Sequence, residues 1–286
     1  MQPRDSFERL ISQWESDDSL LEANQLCRRA EVLDRLDAYF PDADFDLIDS
    51  ELHQRARAIC TRLEAANSEL YQAIRHEIQR GICPAAFVQL RQRSKSDSPA
   101  HGNSYDYLDE LISGVLQFDE PAEEPVHIGP EMVFYQPTPA RHIFALTAAG
   151  AISESDVLVD LGSGLGHVPL LVSVCTSARG IGIEVEPGYV ACARRCAEGL
   201  NLSRVSFLEA DARDADFSNG TVFYLYTPFS GSILRAVMNS LRKQAAVRAI
   251  KICTFGPCTP AIAEEPWLEA MTTPETDRIT VFLSRA

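Results

Sequence analysis

The sequence predicts an α/β protein: a Rossmann-like, mostly parallel sheet with helices on both faces, preceded by an all-helical N-terminal domain. Three observations predict it. Short apolar, β-branched runs at 157–161, 180–184, 205–209 and 221–226 alternate with helix-like stretches, the pattern of a parallel sheet. The first of these runs enters a glycine-rich turn. Before about residue 120 the apolar side chains recur at steps of three and four, the helical period.

Taken in order, Leu20, Leu21, Leu26, Leu33, Leu36 and Phe40 mark a helix from Ser19 to Phe40. A second long helix carries Ile48, Leu52, Ala56, Ile59, Leu63, Ala66, Leu70, Ile74 and Ile78 on one stripe. It runs for about eight turns and is closed by Gly81 and Pro84. The expectation is an antiparallel helical bundle without chemistry of its own, with a substrate lid or a homodimer interface as the alternative. A Ser/Pro/Gly-rich loop over 94–104, a shorter helix at 105–116 and an acidic, proline-punctuated connection at 118–130 follow. The domain boundary falls in that connection, giving a helical domain over 1–125 and an α/β domain over 126–286.

Charge and cysteine usage bound the function class. The 286-residue chain carries a net charge of −15. Residues 1–125 hold 25 acids against 13 Lys and Arg, and residues 126–286 hold 16 against 13. Such a surface repels a phosphate backbone, so nucleic acid is not the expected substrate, whereas a neutral small molecule or a basic protein segment suits it. The eight cysteines include no Cys-x-x-Cys pair and no histidine at zinc spacing, so no metal is expected. Free thiols, the lack of an 18-residue apolar run and the lack of an apolar leader after Met1 give a cytoplasmic expectation, off the membrane.

Chemistry concentrates in the second half. In Val157-Leu-Val-Asp160-Leu-Gly162-Ser163-Gly164-Leu-Gly166, a buried strand runs into a tight glycine turn, and His167 opens a helix whose free amides favour a polar or anionic group. A dinucleotide fold wants Gly-x-Gly-x-x-Gly. Here the third glycine comes one residue early, and Asp160 stands two residues before the first. A second strand ends at Glu184, 24 residues after Asp160, with Pro187 suited to the following helix start. A third strand ends near Asp211 and Ala212. A fourth, Thr221 to Tyr226, runs into Thr227-Pro228-Phe229 at the sheet edge where open parallel sheets bind ligands. Upstream, Thr138-Pro139 reads as a helix start, with threonine as the cap. Between Thr254 and Arg278 only Pro-rich turns are expected, and a last strand lies near Ile279–Ser284.

The Asp-x-Gly-x-Gly-x-Gly form resembles motif I of the class I S-adenosylmethionine-dependent methyltransferases. That resemblance implies S-adenosylmethionine as cofactor, with Asp160, Gly162, Ser163, Gly164 and Gly166 at its methionine end. It implies Glu184, or failing it Glu186, at the ribose hydroxyls, and Asp211 with Ala212 at the adenine. The Thr-Pro segment resembles a stretch that these enzymes fold over the cofactor's carboxylate end, which makes Tyr135, Gln136 and Thr138 further contacts; a purely structural cap is the alternative. Within the class, Asp160-Leu-Gly-Ser-Gly-Leu-Gly-His-Val looks most like motif I of the non-SET histone-lysine methyltransferases, which also carry an N-terminal helical part. Tyr226 to Phe229 is similar to the Asn/Asp-Pro-Pro-Tyr/Phe loop of enzymes that methylate planar nitrogens. Tyr and Thr replace the nitrogen-holding residues, which speaks against amino-group methylation of DNA or glutamine. Tyr226 is the catalytic candidate, as an orienting phenol or a base; a wall beside the sulfonium is the other reading. The expected activity is methyl transfer to an O or N nucleophile of a small molecule or protein side chain. A non-catalytic scaffold that keeps the cofactor fold is the alternative, and glycine spacing disfavours an oxidoreductase.

Overall fold

The computed structural model describes residues 3–40, 51–96, 101–119, 129, 131–148 and 152–285. The chain divides into two compact units, 1–75 and 76–286. In the first, α1 (Pro3–Ser16), α2 (Leu26–Tyr39) and most of α3 (Glu51–Gln79) bury Ile11, Trp14, Leu20, Val32, Leu36, Ile59 and Leu63 in one core. The predicted helix at Ser19 begins instead as two 3₁₀ turns, Asp18–Leu21 and Ala23–Gln25. The cause is Arg29, whose buried guanidinium donates to the Leu20 and Glu22 carbonyls at 2.9 and 2.6 Å and to Asn67 Oδ1 at 2.6 Å. Carbonyls bonded to a side chain are lost to the α-helical ladder. Ile48 and the connection at 120–128 lie outside the described residues.

The second unit begins in the last turn of α3 and holds α4 (Ala85–Ser96), α5 (Tyr107–Leu116), α6 (Ala140–Ala148), α7 (His167–Thr176), α8 (Pro187–Gly199), α9 (Gly231–Ala245) and α10 (Thr259–Ala263). Its sheet contains β1 (Val157–Leu161), β2 (Arg179–Glu184), β3 (Val205–Glu209), β4 (Val222–Tyr226), β5 (Lys251–Phe255), β6 (Leu268–Ala270) and β7 (Thr280–Ser284). The spatial order is β3-β2-β1-β4-β5-β7-β6. The first five strands are parallel, while β7 runs antiparallel to both β5 and β6. The sheet and its flanking helices are the mostly parallel α/β fold that the sequence predicts. Pairing moves from β1 outward through β2 to β3, then returns to β4 on the other side of β1. The switch point therefore lies at the carboxyl ends of β1 and β4.

Strand alternation sorts the helices onto two faces. Val159, Leu161, Phe223, Leu225 and Ile252 share a core with Val237, Met238 and Leu241 of α9. On the other face Tyr224 bonds Thr138, just before α6, and the Phe255 ring packs on His142 of α6. Where only Pro-rich turns were expected after Thr254, α10 and β6 form; Pro260 sits in the first turn of α10, where its missing N–H costs nothing.

The placement of α4 and α5 departs from the expected boundary at 125/126. Phe87 of α4 meets Phe144 of α6 edge-on at 5.3 Å, and Arg91 donates to the carbonyls of Thr147 and Cys175 at the ends of α6 and α7. Both helices thus pack as part of the α/β unit. The Thr138-Pro139 start also differs from expectation: the Ala140 N–H is capped by Asp109 of α5 at 2.7 Å, and the same side chain closes the capping box of its own helix by accepting from the Asp106 N–H. Among the described residues no helix is long and apolar enough to cross a membrane.

Asp109→Ala removes the acceptor for both helix starts. The expected loss is about 1–2 kcal/mol, a fall in Tm of roughly 2–8 °C for a unit of this size, measured by thermal unfolding followed by circular dichroism.

Candidate functional site

A cavity of about 980 Å³ opens at the switch point. It is at the upper end of the size usual for a small-molecule or cofactor pocket. Ten of the twelve residues singled out from the sequence line it: Tyr135, Gln136, Thr138, Asp160, Gly162, Ser163, Glu184, Asp211, Ala212 and Tyr226. Gly164 and Gly166 do not, for reasons visible in the turn between β1 and α7.

Gly164 has a φ of +51°, and a Cβ there would come within 1.9 Å of the Tyr135 ring, so only glycine lets that ring lie on the turn. Its N–H donates to Glu184 Oε2 at 2.8 Å, while Glu184 Oε1 accepts from the amides of Val185 and Glu186. Gly166 lies under Phe207 and heads α7. The amides at that helix start are fewer than expected. Pro169 at the third helical position has none, and Gly166 N–H is spent on the Ser163 carbonyl.

The polar floor of the cavity is formed by Asp160 and Ser163. Asp160 is only 4% exposed, and among the described residues its carboxylate accepts no hydrogen bond. Burial, with the nearby Glu184 charge adding to it, pushes its carboxyl well above the ordinary carboxylate range. The Ser163 hydroxyl is buried and likewise without a partner. Asp211, by contrast, reaches the cavity with its charge engaged: Arg213 holds both carboxylate oxygens, closest at 2.6 Å, and keeps the carboxyl below its usual value. Ala212 lies beside it, buried.

The segment 131–138 crosses the cavity and is tied at both ends. At one end Glu131 caps α9, accepting from the Ser232 and Ile233 amides at 3.0 and 3.1 Å, and the Val133 N–H donates to the Pro228 carbonyl. At the other end the buried Thr138 hydroxyl pairs with that of Tyr224 at 2.9 Å, which is where the expected capping group goes. Between them Tyr135 pairs with His167 Nδ1 at 3.0 Å and packs against Tyr189 of α8 at 5.0 Å. Burial drives the His167 imidazole down to about 4, so it is neutral at pH 7. Gln136 is exposed.

The β4–β5 end of the cavity is walled by Tyr226, Phe255, Pro257 and Pro260. Tyr226 packs on Phe255 at 4.6 Å, and burial raises its phenol above the ordinary value. The next residue, Thr227, holds a φ of +40°, rare for a β-branched residue. Its hydroxyl fixes that geometry by donating to the Phe255 carbonyl at 3.1 Å and accepting from the Cys258 N–H at 3.0 Å. Strain held by such bonds is typical of ligand sites. Asp277, Glu131, Tyr189 and Phe255 had escaped sequence reasoning. Asp277 comes from the loop before β7 and carries no motif, and the Glu131 cap bridges about a hundred residues of chain.

No family model matches the chain, and no curated protein matches it. Solved structures do. It is similar to an RNA methyltransferase from Salinibacter ruber in complex with S-adenosyl-L-homocysteine, at 27% identity over 52% of this chain and 92% of that one, with a TM-score of 0.43. It is also similar to a precorrin-6y C5,15-methyltransferase from Geobacter metallireducens, at 14% identity over 54% and 92%, with a TM-score of 0.43. An rRNA methylase from Streptococcus thermophilus matches at 12% identity over 54% and 98%, with a TM-score of 0.38.

Because the folded state holds the Asp160 proton more tightly than the unfolded chain does, stability declines as pH rises above about 4, the ordinary carboxylate range. Asp160→Asn is therefore expected to raise the Tm of the ligand-free protein at pH 7–8, with the gain shrinking as pH falls toward 4. A lower Tm at pH 7 would contradict this account of the site.

Proposed function

We propose that this chain is an S-adenosylmethionine-dependent methyltransferase acting on an O or N nucleophile of a small molecule or a protein side chain. The observation that carries the reading is the buried Asp160 carboxylate, which among the described residues accepts no hydrogen bond and faces the switch-point cavity. It suits a ligand that brings its own N–H donors and positive charge, as the amino group of a methionine moiety does. The rest of the site fits the same cofactor. Ser163 offers a free hydroxyl beside Asp160. Glu184 keeps a lone pair on Oε2 for a ribose hydroxyl beyond the three amides it already holds. Ile183, Val185, Ala210 and Ala212 give apolar surface for an adenine ring.

Such a cofactor supplies an electrophilic methyl group on a sulfonium. The chain's part is to bind it, aim an acceptor and shed water. Asp160 and Glu184 anchor one end, the Tyr135 segment covers it, and the Tyr226–Phe255 wall holds the acceptor end dry. Tyr226 acts as wall rather than base, since its raised phenol keeps the proton at neutral pH. The similar structures named above include proteins that act on RNA and on a precorrin; a protein lysine falls within the N-nucleophile class proposed. A pure scaffold role gives no use for a buried acid that accepts no hydrogen bond from the described residues and faces an open cavity.

Calorimetric titration of the whole chain is the test. S-adenosylmethionine and S-adenosylhomocysteine are expected to bind with micromolar affinity and NAD not at all; NAD binding alone, or no binding of the first two, overturns the proposal. Glu184→Ala is expected to weaken S-adenosylhomocysteine binding roughly 10- to 100-fold, the loss of charge-assisted hydrogen bonds. Tyr226→Phe should leave turnover within about threefold, because a wall needs no hydroxyl; a loss of two orders of magnitude or more would make it a catalytic acid–base group instead.

A further inference from the structure

Acids dominate the charged lining of the cavity. Asp160, Glu184, Glu186, Asp211 and Asp277 line it, and among the described residues no lysine or arginine does. Of these five acids Asp211 is paired with Arg213. Three of these acids lie at the ends of β1 and β2 and a fourth just past β3, the half that the proposed cofactor takes. The fifth, Asp277, stands alone in the other half. The loop that carries it is fixed to β5 by Gly256 N–H donating to the Thr276 carbonyl, and Gly256 itself packs against the Tyr226 ring.

Three features there converge on one ligand chemistry. The walls are aromatic and prolyl, and the faces of Tyr226 and Phe255 attract a cation as well as an aliphatic stem. At the rim stands a carboxylate with about half of its surface open to solvent. The field over the whole chain is negative. A phosphate or carboxylate acceptor would meet no lysine or arginine of the described lining and at least one acid. Resting on the methyltransferase reading above, we infer that the acceptor is an aliphatic amine, bound in its ammonium form at the rim by Asp277 with its stem along Tyr226 and Phe255.

The groups facing Asp277 leave room for this. His101 Nδ1 lies 3.3 Å away on one oxygen, and Glu275 is held by Arg278 at 2.7 Å. His142 Nε2 donates to the Gly102 carbonyl at 2.7 Å; burial holds its imidazole below the ordinary value, and Asp277 acts against that shift. To react, the amine gives one proton to water at the open mouth. Its lone pair then forms the new bond to the methyl carbon as that carbon's bond to sulfur breaks, the pair staying on sulfur.

The experiment measures amine binding and methylation together. The full chain, alone and saturated with S-adenosylhomocysteine, is titrated with 1,4-diaminobutane, spermidine and a lysine-containing hexapeptide. A short RNA and an aliphatic dicarboxylate serve as the contrary probes. Methylation of each is then followed with labelled methyl donor. Amine binding to both forms is expected, and the small amines against the peptide tell a metabolite from a protein side chain. Asp277→Asn should weaken amine binding roughly three- to tenfold and Asp277→Lys more than tenfold, with S-adenosylhomocysteine affinity unchanged in both. Methylation of the RNA or the dicarboxylate in preference to every amine, failure of all the amines to bind, or amine affinity indifferent to position 277 would each overturn the inference. Loss of it with S-adenosylhomocysteine binding intact leaves the methyltransferase reading standing; absence of S-adenosylhomocysteine binding in the unaltered chain removes both.

Discussion

At the end of β1 the Asp160 carboxylate sits in the floor of the cavity where no N–H or O–H of the described residues reaches it. In the unfolded chain that group is fully hydrated, and folding carries it to the cavity floor without supplying a hydrogen bond from the described residues. The position is dictated by the strand. β1 lies at the centre of the sheet between β2 and β4, its apolar residues fill both faces, and the acid arrives where the chain must turn into α7. Nothing in packing requires an acid at that place, and an apolar residue or an amide would hold the strand at lower cost. The cavity residues gather around this acid: Ser163 three residues on in the turn, Glu184 at the end of the neighbouring β2, and Tyr135 from the segment before α6.

That segment explains why the cavity has a roof. Residues 131–138 hold the turn after β4 and the turn after β1 in one assembly: Glu131 caps α9, Val133 bonds Pro228, Tyr135 lies on Gly164 and Thr138 reaches Tyr224 in the middle of the sheet. Pro228 in turn sits against Gly162, where a Cβ would come within 2.3 Å of the proline ring. The glycines of the first turn thus serve two purposes. Gly162 and Gly164 admit neighbouring rings, and the ring on Gly164 leaves the Gly164 amide to Glu184 rather than to the cavity. A spacing argument sees glycines as open backbone, whereas here part of that opening is filled by the protein itself.

How much could be read from the chain follows from how local each signal is. The first four parallel strands, the glycine turn, Glu184 at a strand end and the start of α8 at Pro187 are written in runs of about ten residues or fewer, and local pattern finds them. The choice of capping group at α6 was not local. Thr138 has the right chemistry, yet Tyr224, 86 residues on, takes its hydroxyl, and Asp109 from α5 supplies the cap. Arg29 shows the same limit: its burial breaks a helix that apolar spacing predicts as continuous. The compact units were misjudged because α4 joins the α/β unit through Phe87 and Arg91, contacts that no composition shift announces. Asp277 stayed invisible for the simplest reason, being an exposed acid in a loop until the reversed strand β7 brings that loop back to the end of β5.

The acids of the cavity also couple binding to stability. Asp160 and Glu184 repel one another, and the field at Asp160 is unfavourable to its charge until a cation arrives. A positively charged ligand therefore gains more than its own contacts: it relieves a penalty that the empty fold carries, and that relief adds to its differential affinity for the folded state. The same logic distinguishes the two halves of the cavity. At Asp160 the acid is buried, so its neutralisation is worth most and the ligand there should be held tightly. At Asp277 the acid is half in water and screened, so it selects by sign of charge more than it contributes to affinity. The buried acid thus marks the end of the cavity that gains most from a cation, and the half-exposed acid marks the end that sorts ligands by the sign of their charge.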